Sequence, residues 1–259
     1  MFKKVSVEES DEFSRILRLI SNPRRRRVLQ TLQGESVASL RRLSECSDIP
    51  VQETHKLLTD LLRLGVVKKE ERGEYTLTSF GSIFSVYLNN LQRLTELRDY
   101  LLKHALPKVP EELIALVTQS LSSSKIIKNV YEIYDQIIRT IESSRRIYLM
   151  SRNIHKFIGG KGFKRELKGK IIVIGKSLIN CMIIKSKLST FPRIYVRCLY
   201  KNLKFLPELV VGDENAIVSF TDIHGNIDFN NALLFYGRPS TISIRQIFNH
   251  YWRKSEDLH

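Results

Sequence analysis

The sequence of 259 residues predicts an α+β domain over residues 1–80, a long helix over 81–106 and an α/β domain over 107–259. Three observations support this division. Apolar residues recur at helical spacing near the N-terminus and give way to two short extended runs around a glycine. A nearly heptad apolar pattern then continues without interruption to about residue 105. Beyond Pro107 and Pro110, helical and extended segments alternate, which is typical of an α/β domain.

The N-terminal segment contains the helices of the first domain. Residues 11–33 predict two helices broken at Ser21-Asn22-Pro23, because proline is tolerated in the first turn of a helix. A short helix over Ser36–Cys46 follows. A tight turn at Ser47–Pro50 then leads into a longer helix over Val51–Leu64, with Leu58 and Leu61 facing inward.

Two extended runs complete this domain. Val66–Glu70 and Glu74–Thr78 flank Glu71-Arg72-Gly73 and predict a β-hairpin. Helices in this order with a hairpin directly after them predict a winged helix-turn-helix. The segment over about residues 12–81 resembles prokaryotic DNA-binding domains of the ArsR/MarR type. The resemblance is carried by Leu43-Ser44-Glu45, Ile49-Pro50, Thr54, Leu58, Leu61, Leu64-Gly65-Val66-Val67, Tyr75-Thr76-Leu77-Thr78 and Gly81.

A domain of this kind reads base edges with the first turns of its last helix. Gln52 is suited to adenine, Glu53 to the amine of cytosine, and Lys56 to guanine or phosphate. His55 and Thr59 fit a base contact and a plain solvated surface about equally well. The outward residues predicted to contact DNA on this helix are Gln52, Glu53, His55, Lys56 and Thr59.

Contacts to the DNA backbone are predicted at two further places. Arg24–Arg27 open a helix, where cations are unfavourable to the helix dipole, so we expect them to serve an external anion such as phosphate. Periodicity places at least one of the four along the domain's own surface. The tip of the hairpin suits an arginine entering the minor groove. The candidates are Arg24, Arg25, Lys68, Lys69 and Arg72.

Apolar residues at spacings of three and four from Phe80 to about Ala105 predict a single amphipathic helix. Such a stripe packs either on a partner helix or on the chain's own second domain. For this architecture a homodimer is the favoured interpretation. The predicted dimerisation residues are Ile83, Tyr87, Leu91, Leu94, Leu97 and Leu101.

The third segment predicts helices and strands in alternation. The helices are Glu111–Ser120, Lys125–Ser143 and a closing one from about Ser240 to Lys254. The strands are Arg146–Ser151, Lys170–Gly175, Arg193–Leu199, Glu208–Val211, Asn215–Phe220 and Ala232–Phe235.

This segment resembles the effector domain of archaeal winged-helix regulators related to the methanogenesis (filament) regulators, over about residues 107–255. The resemblance rests on Tyr131–Met150, Phe220–Leu233 and Ile247–Trp252. It implies a phospholipase-D-like fold that senses a ligand, as in TrmB-type regulators.

The positive charge is concentrated in the C-terminal half. Residues 145–204 carry 16 Lys and Arg against one acid, Glu166, whereas residues 1–80 carry 15 against 12. Such a surplus attracts nucleic acid, phosphorylated ligands or an anionic membrane. The sequence therefore favours an anionic small-molecule effector. Its predicted contacts are Lys161, Lys164, Arg165 and Lys176.

No catalytic or metal site is predicted. A phospholipase-D site needs a lysine two residues after a histidine, whereas His155 and Lys156 are adjacent and would point to opposite faces of a strand. The six histidines lack metal-ligand spacing. The three cysteines (Cys46, Cys181 and Cys198) are odd in number and widely spaced, which argues against a disulfide framework.

These observations predict a homodimeric, sequence-specific regulator of transcription that binds double-stranded DNA and responds to an effector, with no cofactor and no enzymatic activity. No membrane span or secretory signal is visible, so a cytoplasmic protein is expected. One alternative is a processing protein whose basic C-terminal domain acts on nucleic acid. Another is a C-terminal domain that serves as a protein or nucleic-acid platform without a ligand.

Overall fold

The computed structural model describes residues 7–106, 110–153, 168–175, 178–188, 191–200 and 204–257. The chain divides into two compact units after Asn89, within a helix. The first unit consists of α1 (Val7–Ile20), α2 (Pro23–Glu35), β1 (Val37–Ala38), α3 (Leu40–Ser47), α4 (Val51–Arg63), β2 (Val67–Lys69), β3 (Tyr75–Leu77) and the first part of α5 (Ser79–Glu96).

Local signals start and stop the helices of the first unit. The Asn22 side chain accepts a hydrogen bond from the Arg24 N–H and caps α2 directly before Pro23. Ser39 caps α3 in the same way, and Asp48, in the left-handed conformation, ends it. The predicted break between the first two helices and the tight turn before α4 are both confirmed.

The core of this unit is formed by the inner faces of α2, α3 and α4. Leu58 and Leu61 of α4 are fully buried, as predicted from their spacing. A buried hydrogen bond stabilises the turn between α3 and α4, since the Ser44 Oγ donates to the Ile49 carbonyl at 2.6 Å. Leu43 and Leu29 complete this core, and the arrangement fixes the angle at which α4 leaves the turn.

The wing is a three-stranded antiparallel sheet in the order β1-β3-β2. Val37 of β1 pairs with Thr76, and Val67 of β2 pairs with Leu77. The predicted hairpin is confirmed, but the predicted helix over Ser36–Cys46 is wrong at its start. Ser36 adopts φ 64° and ends α2, so that two residues join the sheet before α3 begins.

The long amphipathic helix is also shorter than predicted. It breaks after Glu96, and α6 (Arg98–Lys103) and β4 (His104–Ala105) follow. The reason is packing within the chain, because Leu97 and Tyr100 are buried in the core of the second unit. The predicted uninterrupted helix to Ala105 is therefore wrong.

The second unit continues with α7 (Glu111–Gln119), a short 3-10 turn, β5 (Ser124–Lys128), α8 (Val130–Ser143), β6 (Arg146–Ser151), β7 (Lys168–Ile174), α9 (Leu178–Leu188), β8 (Ile194–Leu199), β9 (Glu208–Val211), β10 (Asn215–Ser219), β11 (Thr221–Asp222), β12 (Asn231–Tyr236), α10 (Arg238–Lys254) and β13 (Glu256–Asp257). The predicted α/β architecture is confirmed.

An eight-stranded mixed sheet in the order β13-β8-β7-β6-β9-β10-β12-β5 organises this unit. Strands β6, β7 and β8 are parallel, and the other pairings are antiparallel. Alternate residues of β7 pack on opposite faces: Ile171 lies against the face that carries α8 and α9, and Ile172 against the face that carries α10. The sheet is therefore buried on both faces.

One aromatic side chain connects α10 to the sheet. Trp252 stacks on Phe248 with ring centroids 5.7 Å apart. Its ring also lies 5.1 Å from the Lys170 ammonium and 4.8 Å from the Arg197 guanidinium. The indole therefore lies against cations from two neighbouring strands.

Three further features differ from the sequence predictions. The segment predicted as a helix from Lys125 begins as β5, because it pairs with β12, placing Ile126 opposite Leu233. Helix α9 has no counterpart among the predictions. Cys181 of α9 and Cys198 of β8 form a disulfide, because the helix folds back onto the strand and brings two widely spaced cysteines together.

Candidate nucleic-acid interface

Helix α4 begins directly after the turn and presents its first two turns to solvent. Gln52, His55 and Lys56 are exposed on this surface. Thr59 is half-buried, and its Oγ1 donates to the His55 carbonyl at 2.9 Å, which binds that hydroxyl to the helix itself. Three of the residues predicted to contact bases are thus exposed on the same face of α4.

Glu53 belongs to the same exposed turn but has a partner within the chain. Its carboxylate lies 3.3 Å from the Arg25 guanidinium. This ion pair connects α2 to the start of α4, so two predicted DNA-contacting residues contact each other.

The other arginines at the start of α2 have different environments. Arg26 donates to the carbonyls of Ile20 and Ser21 at 3.1 and 2.7 Å and closes the C-terminal end of α1. It matches the expectation that one arginine lies along the domain's own surface. Arg24 is exposed and lies 3.4 Å from Asp48 in the turn before α4.

The wing tip is a tight turn in which Gly73 adopts φ 80°, a conformation that favours glycine. Arg72 is exposed beside it and has no ion pair within the described part of the chain. The Lys68 ammonium lies 2.8 Å from the Glu70 carboxylate. Hydrogen bonds from Lys68 and, to a smaller extent, from the Thr76 hydroxyl hold the pKa of the Glu70 carboxyl below its ordinary value. Lys69 is exposed as well, but its ammonium lies 5.9 Å from the centre of the Tyr75 ring, so Arg72 is the wing cation with neither an ion pair nor a ring contact in the described residues.

A groove of about 390 Å³ lies between α1, α2 and the end of α4. Arg15, Arg18, Arg25 and Arg63 line it around Asp60, which lies 3.8 Å from Arg63. Sequence reasoning missed Arg15, Arg18 and Arg63. Arg15 and Arg18 are three residues apart and therefore lie on one face of α1, and this spacing could have predicted these two residues from the sequence.

The apolar face of α5 is partly exposed. Ile83, Tyr87, Leu91 and Leu94 are exposed. Leu97 is fully buried and Leu101 packs partly on the same core, so both contact their own chain. The predicted dimerisation role of Leu97 is corrected for this reason, since a buried side chain has no surface to offer a partner.

Two sets of sequence predictions cannot be placed. The predicted effector contacts Lys161, Lys164, Arg165 and Lys176, and the pair His155-Lys156, lie outside the described residues. Within the residues that the structure describes, no group of three or more histidine, cysteine or acidic side chains could hold a metal ion. Nor does this part of the chain contain a helix long and apolar enough to cross a membrane.

Comparison with known proteins gives one family match. A family model described as HVO_A0114 matches residues 20–79, which run from the end of α1 to the start of α5. No protein of curated description matches the sequence significantly.

Several solved structures resemble the chain at low similarity. TrmBL2, an archaeal chromatin protein described as having a novel mode of DNA binding, is 17% identical, with 95% of this chain and 99% of that chain covered and a TM-score of 0.41. A transcriptional regulator of the IclR family from Rhodococcus sp. is 12% identical, with 99% and 98% covered and a TM-score of 0.20. The methyltransferase SibL is 11% identical, with 76% and 66% covered and a TM-score of 0.30. At TM-scores this low, none of these resemblances carries an argument about function.

Proposed function

We propose that the protein is a sequence-specific DNA-binding regulator of transcription. The observation that supports this most directly is the exposed first part of α4, where Gln52, His55 and Lys56 share one surface. Amide and ammonium groups on the first turns of such a helix suit base edges in the major groove. Arg72 at the wing tip suits the adjacent minor groove.

We further propose that the protein acts as a homodimer through α5. The exposed Ile83, Tyr87, Leu91 and Leu94 form an apolar stripe with the spacing of a helix–helix contact. A twofold dimer would present two α4 helices to half-sites about 34 Å apart. Its preferred DNA would then be an inverted repeat.

The second unit is proposed to carry the effector site and, on the resemblance of its sequence, to be phospholipase-D-like. An effector shifts DNA binding only if it binds one dimer geometry more tightly than another. We propose binding and not catalysis as the activity, since the sequence lacks the spaced histidine and lysine of a phospholipase-D site. The competing proposal, that the basic second unit itself binds or processes nucleic acid, makes a different prediction in the experiment below.

The test is selection of binding sites from a random duplex pool by the full-length protein, with Lys56→Ala and Arg72→Ala in parallel. An inverted repeat should be enriched by the natural protein. Lys56→Ala should relax the preference at one position in each half-site, and Arg72→Ala should weaken binding in the flanking minor groove. Lys128→Ala, an exposed lysine of β5 in the second unit, is the matched control and should select the same sequence.

Two outcomes would contradict the proposal. One is enrichment of no sequence, with binding that simply fades as salt rises, which would favour the processing alternative. The other is an unchanged selected sequence in Lys56→Ala, which would remove α4 from base recognition.

A further inference from the structure

The second unit contains a large cleft at the end of the sheet where strands β6 and β7 begin. Its volume is about 910 Å³. The walls are the C-terminal end of α8, the β9–β10 turn at residues 212–214 and the first two turns of α10. This end of the sheet is opposite to the one at which β6 and β7 end.

Five cations line this cleft. None of the five has an ion pair within the described residues, although they share the cleft with the carboxylates of Glu142, Asp213 and Glu214. Asp213 is engaged elsewhere in part, since it accepts a hydrogen bond from the Arg145 backbone N–H at 2.8 Å. The cleft therefore has a surplus of cations that are free to meet an anion. They are Arg145, Arg146, Lys168, Arg238 and Arg245.

The walls are held in place by hydrogen bonds that do not involve these cations. The Ser144 Oγ donates to the Thr140 carbonyl at 2.6 Å and accepts from the Asp213 N–H at 3.1 Å. Gly212 packs so closely on α8 that a Cβ there would overlap the Ser144 hydroxyl. The Thr241 Oγ1 donates to the Asp213 carbonyl at 3.3 Å and ties α10 to the same turn. A site assembled in advance in this way loses little entropy when a ligand binds.

Two of the cations come from α10. Arg238 lies in the first turn of the helix, where the helix dipole adds to its positive charge. Arg245 lies with its guanidinium 5.4 Å from the centre of the Tyr148 ring, which holds the side chain over β6. Arginine presents paired N–H donors that match the oxygens of phosphate, and several such groups favour a ligand with more than one phosphate.

We propose that this cleft binds a compact polyphosphate, that is, a small molecule carrying two or more phosphate groups. The volume is that of a small-molecule site, and its concave shape suits a short ligand. A long nucleic-acid backbone suits it less, because walls formed by α8, the β9–β10 turn and α10 surround a short ligand, whereas an extended line of phosphates would have to leave the cleft. The regulatory role of such a ligand rests on the function proposed above, but its binding does not require DNA.

The test is titration calorimetry of the full-length protein with inorganic tripolyphosphate, without DNA and at constant ionic strength. Saturable binding with one ligand per chain is expected. Arg238→Ala and Arg245→Ala should each weaken it by about tenfold, as the loss of a charged hydrogen bond implies. Arg253→Ala removes the same charge from the other end of α10, outside the cleft, and should leave the affinity unchanged.

The same variants are then titrated with a random-sequence duplex. The proposal is overturned if tripolyphosphate does not bind, or if Arg253→Ala weakens its binding as much as Arg238→Ala does. It is also overturned if the cleft variants lower the affinity for the duplex more than the affinity for tripolyphosphate. The last result would assign the cleft to nucleic acid. Lys56→Ala should bind tripolyphosphate normally, so failure of the DNA-binding proposal and failure of this one are separate results.

Discussion

The two basic regions of the molecule differ in what their cations face. In the first unit, Arg25 lies against Glu53, and Lys68 against Glu70. In the cleft of the second unit, Arg238 and Arg245 have no ion pair within the described residues. The first region has matched charges and a few open donors, whereas the second has several cations without acidic partners.

This difference shows that the net charge of a segment does not by itself locate its binding surface. Residues 145–204 hold 16 of the 42 basic residues and one of the 27 acidic ones, so the rest of the chain is balanced. The first unit, with only 15 basic against 12 acidic residues over residues 1–80, still offers Lys56 and Arg72 to a partner. Matched surface charges limit sequence-independent attraction, and exposed ion pairs of about 0–1 kcal/mol are readily exchanged for a ligand.

The largest predicted effect concerns whether the two units unfold separately. Leu58→Ala should destabilise the first unit by about 2–5 kcal/mol and Phe248→Ala the second by about 3–5 kcal/mol, because both side chains are fully buried. Scanning calorimetry should show a different transition shifted by each variant. Equal shifts of one shared transition would contradict the division into two units.

The next effect concerns the exposed stripe on α5. Ile83→Glu should raise the dissociation constant of the proposed dimer by at least about tenfold, because a charge would have to be buried at the contact. Sedimentation equilibrium measures this directly. Leu102→Glu alters an equally exposed apolar side chain outside the predicted stripe and should leave association unchanged. If both variants associate as the natural protein does, the stripe is not the dimer contact.

A third prediction concerns a hydrogen-bonded carboxylate of the second unit. Asp228 lies 2.9 Å from the buried His104. Burial raises the pKa of the Asp228 carboxyl, but hydrogen bonds from Asn231, Asn230 and His104 outweigh it, and the pKa lies below its ordinary value. The resulting stability is present above the unfolded-state pKa of about 3.9 and is lost as the pH falls through the lower folded-state value.

Asp228→Asn should therefore lose stability less steeply than the natural protein when the pH falls below about 4. Urea unfolding across that range measures the difference. Asp135→Asn on α8 is the control, because its ion pair with Arg139 is exposed and such pairs contribute only about 0–1 kcal/mol. Parallel curves for the natural protein and Asp228→Asn would show that this contact contributes nothing to the acid response.

The smallest predicted effect tests the pairing in the first unit. Glu53→Gln removes the partner of Arg25 and should strengthen sequence-independent DNA binding by up to about fivefold, with a salt dependence steeper by about one ion. Fluorescence anisotropy with a random duplex at several salt concentrations measures both. Glu45→Gln removes the partner of Arg41 on α3 and is the matched control. A weaker affinity in Glu53→Gln would mean that the carboxylate itself contributes to the contact.

The sequence predicted best what short-range signals determine. The helices around Pro23 and Pro50 follow from capping and turn chemistry within a few residues, and so does the hairpin around Gly73. The fold of the first unit and the exposed face of α4 could therefore be predicted.

What the sequence could not supply was determined by distant residues. Ile126 and Ile127 fit a helix as well as a strand, and only pairing with β12, about a hundred residues away, decides between them. The cleft has the same origin, since Arg145 and Arg238 meet only after the sheet has formed. The Cys181–Cys198 disulfide likewise depends on how α9 folds back onto β8.

The position of Trp252 has an optical consequence. It is the only tryptophan of the chain, so selective indole excitation makes the second unit emit while the first contributes nothing. Because the ring touches cations from β7 and β8, its emission should change when α10 leaves the sheet. The natural protein thus carries an intrinsic fluorophore that reports on one unit only, without a label or an added mutation.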